Sequence, residues 1–159
     1  MKTGAVITMH IHIPPPLIAA AAGLIQKALM SKGRSPSSAS KAGAAAVAVS
    51  SVGMIGASAV TFYRHRTTIS PLSVHRATTL VTGGPFRISR NPMYVGLAGV
   101  LTAYALLYRS PRAALPLVGF VVLMNRSQIA AEEAALQQKF GAEFTEYCGT
   151  VPRWIFGRQ

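Results

Sequence analysis

At 159 residues the chain is long enough for one domain and too short to expect two. Half of its residues are hydrophobic, 13% are charged and mean hydropathy is +0.36, against roughly a quarter charged in soluble domains; this excludes an ordinary soluble protein and marks a membrane chain. A net charge of +12 and a pI near 11.0 would point a soluble protein toward nucleic acid, but the Lys and Arg residues are spread among the segments between apolar runs, where they set topology, so no nucleic-acid partner follows.

In chain order, residues 13–30, IPPPLIAAAAGLIQKALM, predict a first span. It opens on prolines, tolerated at a helix start, and carries Lys27 near its far boundary. The same prolines and Lys27 make a poor signal-peptide core, so the stretch reads as a retained span. Residues 31–43, rich in Ser, Gly and Lys, read as a flexible connection. Residues 42–63, AGAAAVAVSSVGMIGASAVTFY, hold no charge, and at ~1.5 Å per residue they can cross a hydrocarbon core of ~30 Å. A basic loop over 64–92 leads to a second uncharged run, 91–108. Residues 113–131 form the last span, with Arg126 near its end, where a guanidinium snorkels or meets a protein partner. Small residues four apart, Gly53 with Ala57 and Gly99 with Ala103, predict close helix approach. The expected fold is all-α: a single membrane domain over 1–159 with four transmembrane helices.

Four spans put the N-terminus, the 64–92 loop and the C-terminal tail on one side with ten basic residues, against five on the other. The positive-inside rule makes the first side cytoplasmic, across the inner membrane if the source is bacterial. His10 and His12 lack a third metal ligand, His65 and His75 read as solvent-exposed, and no metal site is expected. Cys148 is the single cysteine, which excludes an internal disulfide, and it reads as structural.

All four acidic residues, Glu132, Glu133, Glu143 and Glu146, fall within IAAEEAALQQKFGAEFTEY, residues 129–147. The helix that starts near Ala113 is expected to run past Glu132 and Glu133, with Ile129, Leu136 and Phe140 on an apolar face, and to stop at Gly141. Two carboxylates then emerge at the membrane boundary, and one reading pairs them with Arg126 and the loop arginines. Glu143 and Glu146 read as solvated partners of Lys139, Arg153 and Arg158. A second stretch, LVTGGPFRISRNPMYVG at 80–96, makes a Gly-Gly-Pro turn, sets Arg87 and Arg90 beside the membrane, and starts a helix at Asn91 and Pro92 with Met93 and Tyr94 in its first turn. Free N–H groups at a helix start favour a carboxylate; paired glutamates favour a cation or a ribose diol. Together they suit a zwitterion with an attached nucleoside, such as S-adenosylmethionine.

GPFRISRNPMYVG and EEAALQQKFGAEFTEYCGTVPRW, in this order and separated by a helical hairpin, resemble the two motifs of the integral membrane methyltransferases that include isoprenylcysteine carboxyl methyltransferases and phospholipid methyltransferases. The resemblance covers residues 78–156. It implies a multi-spanning helical membrane fold with a C-terminal helical hairpin and a cofactor-binding tail. It also implies S-adenosyl-L-methionine as cofactor and a lipid-like or small apolar methyl acceptor that arrives from the membrane lipids. Carried over by position, Arg90, Asn91, Pro92, Tyr94 and Gly96 and then Glu132 and Glu133 would line the cofactor site, Tyr147 and Arg153 would close it, and Arg126 and Gln128 would lie on the substrate side. Two positions depart from the family pattern. Asn91 replaces a His, and Gln128 stands where the carboxyl methyltransferases have an Arg; Arg126, two residues away, is turned ~200° around a helix. No G-x-G-x-x-G follows a strand pattern, so a soluble methyltransferase fold is not expected. The competing classes are a non-catalytic membrane protein that binds a lipid or partner, and a nicotinamide-dependent membrane reductase.

Overall fold

The structure, a computed structural model, describes residues 13–30, 35–65 and 79–156. His10, His12, His75 and Arg158 lie outside them. Among the described residues every regular element is helical: α1 (Pro15–Leu29), α2 (Ser38–Arg64), α3 (Pro92–Tyr108), α4 (Ala114–Leu123), α5 (Ala130–Phe140) and α6 (Ala142–Thr150). A π-helical segment, Met124–Ile129, joins α4 to α5, so that Pro111–Phe140 is one helical rod of 30 residues. The rod runs past Glu132 and Glu133 and ends at Gly141, whose φ of +50° suits glycine.

Two helices, α2 with 27 residues and the rod with 30, are long and apolar enough to cross a membrane. The other two expected spans, α1 and α3, are apolar but shorter, 15 and 17 residues, or ~22 and ~26 Å. Proline sets the start of both, and α3 ends at Arg109, in the left-handed conformation. The bundle's outer face is apolar, with Leu17, Leu24, Val49, Val52, Leu115 and Val118 all more than half exposed, as expected of a surface that meets lipid tails rather than water. α2 starts at Ser38, inside the stretch expected to be a flexible connection, because Ser37 Oγ accepts the Ser40 N–H at 3.1 Å and caps the helix.

The bundle is built on small residues. α2 buries Ala44, Ser51 and Ser58, one per seven residues, a stripe turned toward α3. Both serine hydroxyls donate to carbonyls four residues back, Ser51 to Val47 at 2.6 Å and Ser58 to Met54 at 2.7 Å, so they are buried without an unmet donor. Gly96 and Gly99 of α3 lie against this stripe, where a Cβ at Gly96 would sit 2.8 Å from the Ser51 carbonyl oxygen and collide with Ile55, and one at Gly99 would collide with Ser51 Oγ. Of the small pairs expected to bring helices together, Gly99 does so, whereas Gly53 and Ala57 are exposed and Gly53 meets nothing. The seven-residue stripe, rather than the four-residue spacing, defines the packed face. These contacts run α2 and α3 antiparallel. A core of Ala19, Ala22, Tyr94, Leu101, Phe120, Met124 and Ile129 ties α1, α3 and the rod together.

A second core lies at the end of the bundle where α2 finishes and α3 begins. It joins Leu80, Val81 and Phe86 to Phe144, Tyr147 and Val151, with Phe62 and Phe140 packed against them. The Phe62 and Phe86 rings meet edge to face at 5.0 Å. The turn carrying Phe86 needs Gly84, with φ at +59° and Thr61 Oγ1 3.2 Å from where a Cβ would stand.

Candidate active site

Residues 89–91, just before α3, are stitched to the C-terminal tail. The Arg90 N–H donates to the Pro152 carbonyl at 2.9 Å, and Ser89 Oγ and Asn91 Nδ2 both donate to the Arg153 carbonyl, at 2.9 and 3.0 Å. The Arg90 guanidinium reaches the Cys148 and Val151 carbonyls at 3.0 and 3.3 Å. Asn91 therefore uses its amide to hold the tail.

The two glutamates do different work. Glu133 is clamped: Arg90 Nη2 donates to its Oε1 at 3.0 Å, Arg153 Nε donates to the same oxygen at 3.1 Å, and Arg153 Nη2 binds Oε2. Glu132 takes the Tyr94 hydroxyl at 2.5 Å and Gln128 Nε2 at 3.2 Å on its Oε1, while its Oε2 accepts from no described residue. Arginine pairing was the right kind of contact for one glutamate, but Arg126 has no part in it. Arg126 is exposed and turned away from the buried Gln128. Arg153 pairs with Glu133 rather than with Glu143 or Glu146, because the tail folds back over residues 89–91.

Of the expected site residues, Arg90, Asn91, Tyr94, Gln128, Glu132, Glu133 and Arg153 thus come together where α3 begins beside the rod. Pro92 is fully buried at the first position of α3. Three others stand apart. Gly96 is a packing residue against α2. Tyr147 donates its hydroxyl to the Phe86 carbonyl at 2.7 Å within the second core, where burial pushes its pKa up and keeps the proton in place. Arg126 faces outward. Sequence reasoning missed Ser89, fully buried, whose Oγ also accepts the Asn91 N–H at 3.0 Å, and the Trp154 Nε1 bond to Asn125 Oδ1 at 2.9 Å, which docks the tail on the π-helical segment. Neither has a spacing signal, but both sit inside the motif stretches.

Three features leave polar groups for a ligand to meet. Among the described residues, Glu132 Oε2 has no donor, Arg90 Nε is buried with no acceptor, and α3 starts with no side-chain cap, so that the Met93 and Tyr94 N–H groups have no acceptor. A group with an ammonium or diol at one end and a carboxylate at another fits this donor and acceptor set.

The model of the phospholipid methyltransferase family matches residues 40–143. The chain belongs to that family. The match takes in α2 from Ser40 onward, the 89–91 segment and both Glu132 and Glu133, and ends before Tyr147 and Arg153. An uncharacterized protein of Haemophilus influenzae is 38% identical to this chain over 63 residues, which are 40% of this chain and 100% of that protein. No solved structure matches. Family membership and the apolar helices make this a chain of a membrane methyltransferase family.

Proposed function

We propose that this chain is an integral membrane methyltransferase that uses S-adenosyl-L-methionine and methylates a lipid-like or small apolar acceptor. The observation that carries the reading is the Glu132 carboxylate, whose Oε2 has no donor among the described residues, beside the uncapped start of α3. When bound, the cofactor would supply an electrophilic methyl group on a sulfonium. Glu132 would accept hydrogen bonds from its ammonium or ribose, and the Met93 and Tyr94 N–H groups would donate to its carboxylate. Tyr94 and Gln128 hold the Glu132 carboxyl in place from two sides. The Glu133 clamp keeps the tail down over the same end. Little covalent assistance is needed for an in-line displacement at a sulfonium methyl; orientation and water exclusion supply most of the effect.

Gln128 donates to Glu132 and Arg126 is exposed, so among the described residues no cation stands beside Gln128 to hold an acceptor's carboxylate. This favours an amine or thiol acceptor over a prenylcysteine carboxylate. An ammonium acceptor must lose a proton before transfer.

Isothermal titration of the detergent-solubilised chain tests the reading. Heat on adding S-adenosylhomocysteine is the expected result. Heat with a reduced nicotinamide instead would make it a reductase, and silence with both a non-catalytic binder. We further propose that both termini are cytoplasmic, on the asymmetry of ten basic residues against five. Reporters fused after Gln159 and within 64–90 should both read cytoplasm; opposite readings overturn the topology.

A further inference from the structure

Between α1, α2 and α3 lies an open groove of about 730 Å³ that runs from Pro16 and Leu97 to Lys27, Lys41 and Leu107, within the ~300–1,000 Å³ usual for a ligand site. Its walls are nearly all apolar: Ala20, Gly23 and Leu24 of α1, Ala45 and Ala48 of α2, and the face of α3 from Leu97 to Leu107. That stretch of α3 spans ~15 Å, the depth of one leaflet of a ~30 Å hydrocarbon core. Because α2 and α3 are antiparallel, the mouth lies at the start of α2 and the end of α3, opposite the polar cluster.

Two cations, Lys27 in the last turn of α1 and Lys41 in the first turn of α2, stand at this mouth, both exposed and neither paired with a described residue. The chain offers them no carboxylate on that side, since its only acidic residues lie within 132–146. Within the wall, Gln26 is fully buried; its Nε2 donates to the Leu101 and Ala113 carbonyls at 3.1 and 2.7 Å, while its Oε1 has no partner among the described residues.

We propose that this groove binds an anionic phospholipid of the leaflet opposite the reaction site, one acyl chain lying along α3 and the phosphate held by Lys27 and Lys41. The length of the groove matches a chain in one leaflet, its lining matches hydrocarbon, and its charge matches a phosphate whose headgroup does not cancel it. Such a lipid is a bound ligand and not the methyl acceptor, because its headgroup, held by Lys27 and Lys41, lies at the end of the bundle opposite the start of α3, where Tyr94 meets Glu132.

Native mass spectrometry of the full chain, released from detergent containing equal phosphatidylglycerol and phosphatidylcholine, tests this without reference to methyl transfer. Phosphatidylglycerol should be retained in preference, roughly fivefold less in Lys27→Gln or Lys41→Gln and more than tenfold less in the double variant. Ala45→Phe, an exposed change that fills the groove, should remove both lipids while leaving the melting temperature unchanged. S-adenosylhomocysteine affinity should be the same in all these variants, so failure of the cofactor reading and failure of the lipid site are told apart. Equal retention of the two lipids by the unmodified chain, or retention of phosphatidylglycerol unaltered in the double lysine variant, overturns the proposal. So does a dimer that Ala45→Phe dissociates, which would mean that a second copy covers the groove.

Discussion

Replacing Glu133 by Gln separates the two glutamates most sharply. In the folded chain the Arg90 side chain is 5% exposed, Glu133 17% and Arg153 22%. Removing the carboxylate leaves the Arg90 guanidinium buried without its counter-charge, and breaking a buried pair costs about 3–5 kcal/mol. Because Glu133 and Arg153 keep some water, the lower end applies, ~3 kcal/mol for Glu133→Gln, and about 1 kcal/mol for Arg153→Gln, whose partner retains Arg90. Glu132→Gln leaves the clamp intact and keeps a group that can accept from Tyr94, so its effect falls on the ligand: the loss of a charged hydrogen bond, ~1.5–3 kcal/mol, or on the order of ten- to hundredfold in affinity. The assay is thermal melting of each variant in detergent with titration of S-adenosylhomocysteine below the lowest midpoint. Glu133→Gln should melt lowest and Glu132→Gln should bind weakest. If the two variants share one profile, or if Glu133→Gln melts like the unmodified chain while losing affinity, the division of labour is wrong.

At the α2 and α3 contact, Gly96→Ala and Gly99→Ala should each destabilise the fold by about 1–3 kcal/mol of overpacking and so lower the melting temperature, whereas Gly53→Ala, whose Cβ meets nothing within 4 Å, should not lower it. The Cys148 thiol has its pKa raised by burial and, further, by the Glu133 charge, while Arg90 and Arg153 pull it down. Since only the thiolate alkylates, iodoacetamide should need a higher pH than for a free cysteine, and Glu133→Gln should lower that pH; a normal thiol profile would refute the placement. Trp154 is the chain's one tryptophan, so Asn125→Leu, which removes its hydrogen-bond partner, should shift its emission if the tail docks on the π-helical segment.

The sequence determined which parts of this chain are helical and apolar, and where its polar chemistry is concentrated. Runs without charge can only be buried in protein or lipid, and the stop at Gly141, the start at Pro92 and the turn at Gly84 follow from backbone preferences of the residues themselves. The neighbourhood of Arg90, Asn91, Tyr94, Glu132 and Glu133 was legible because two motif stretches carry it. Their roles were not. That Glu133 is clamped while Glu132 keeps an open oxygen depends on the tail folding back so that Arg153 reaches across from twenty positions away. The assignment of Gly96 to packing depends on its facing Ser51, and that of Tyr147 to a core depends on the Phe86 carbonyl. The π-helical segment, too, has no residue pattern of its own. Local rules act over a few residues and fix elements and their ends; the division of labour among identical side chains is set by which distant partner reaches each one first, and only the packed bundle decides that.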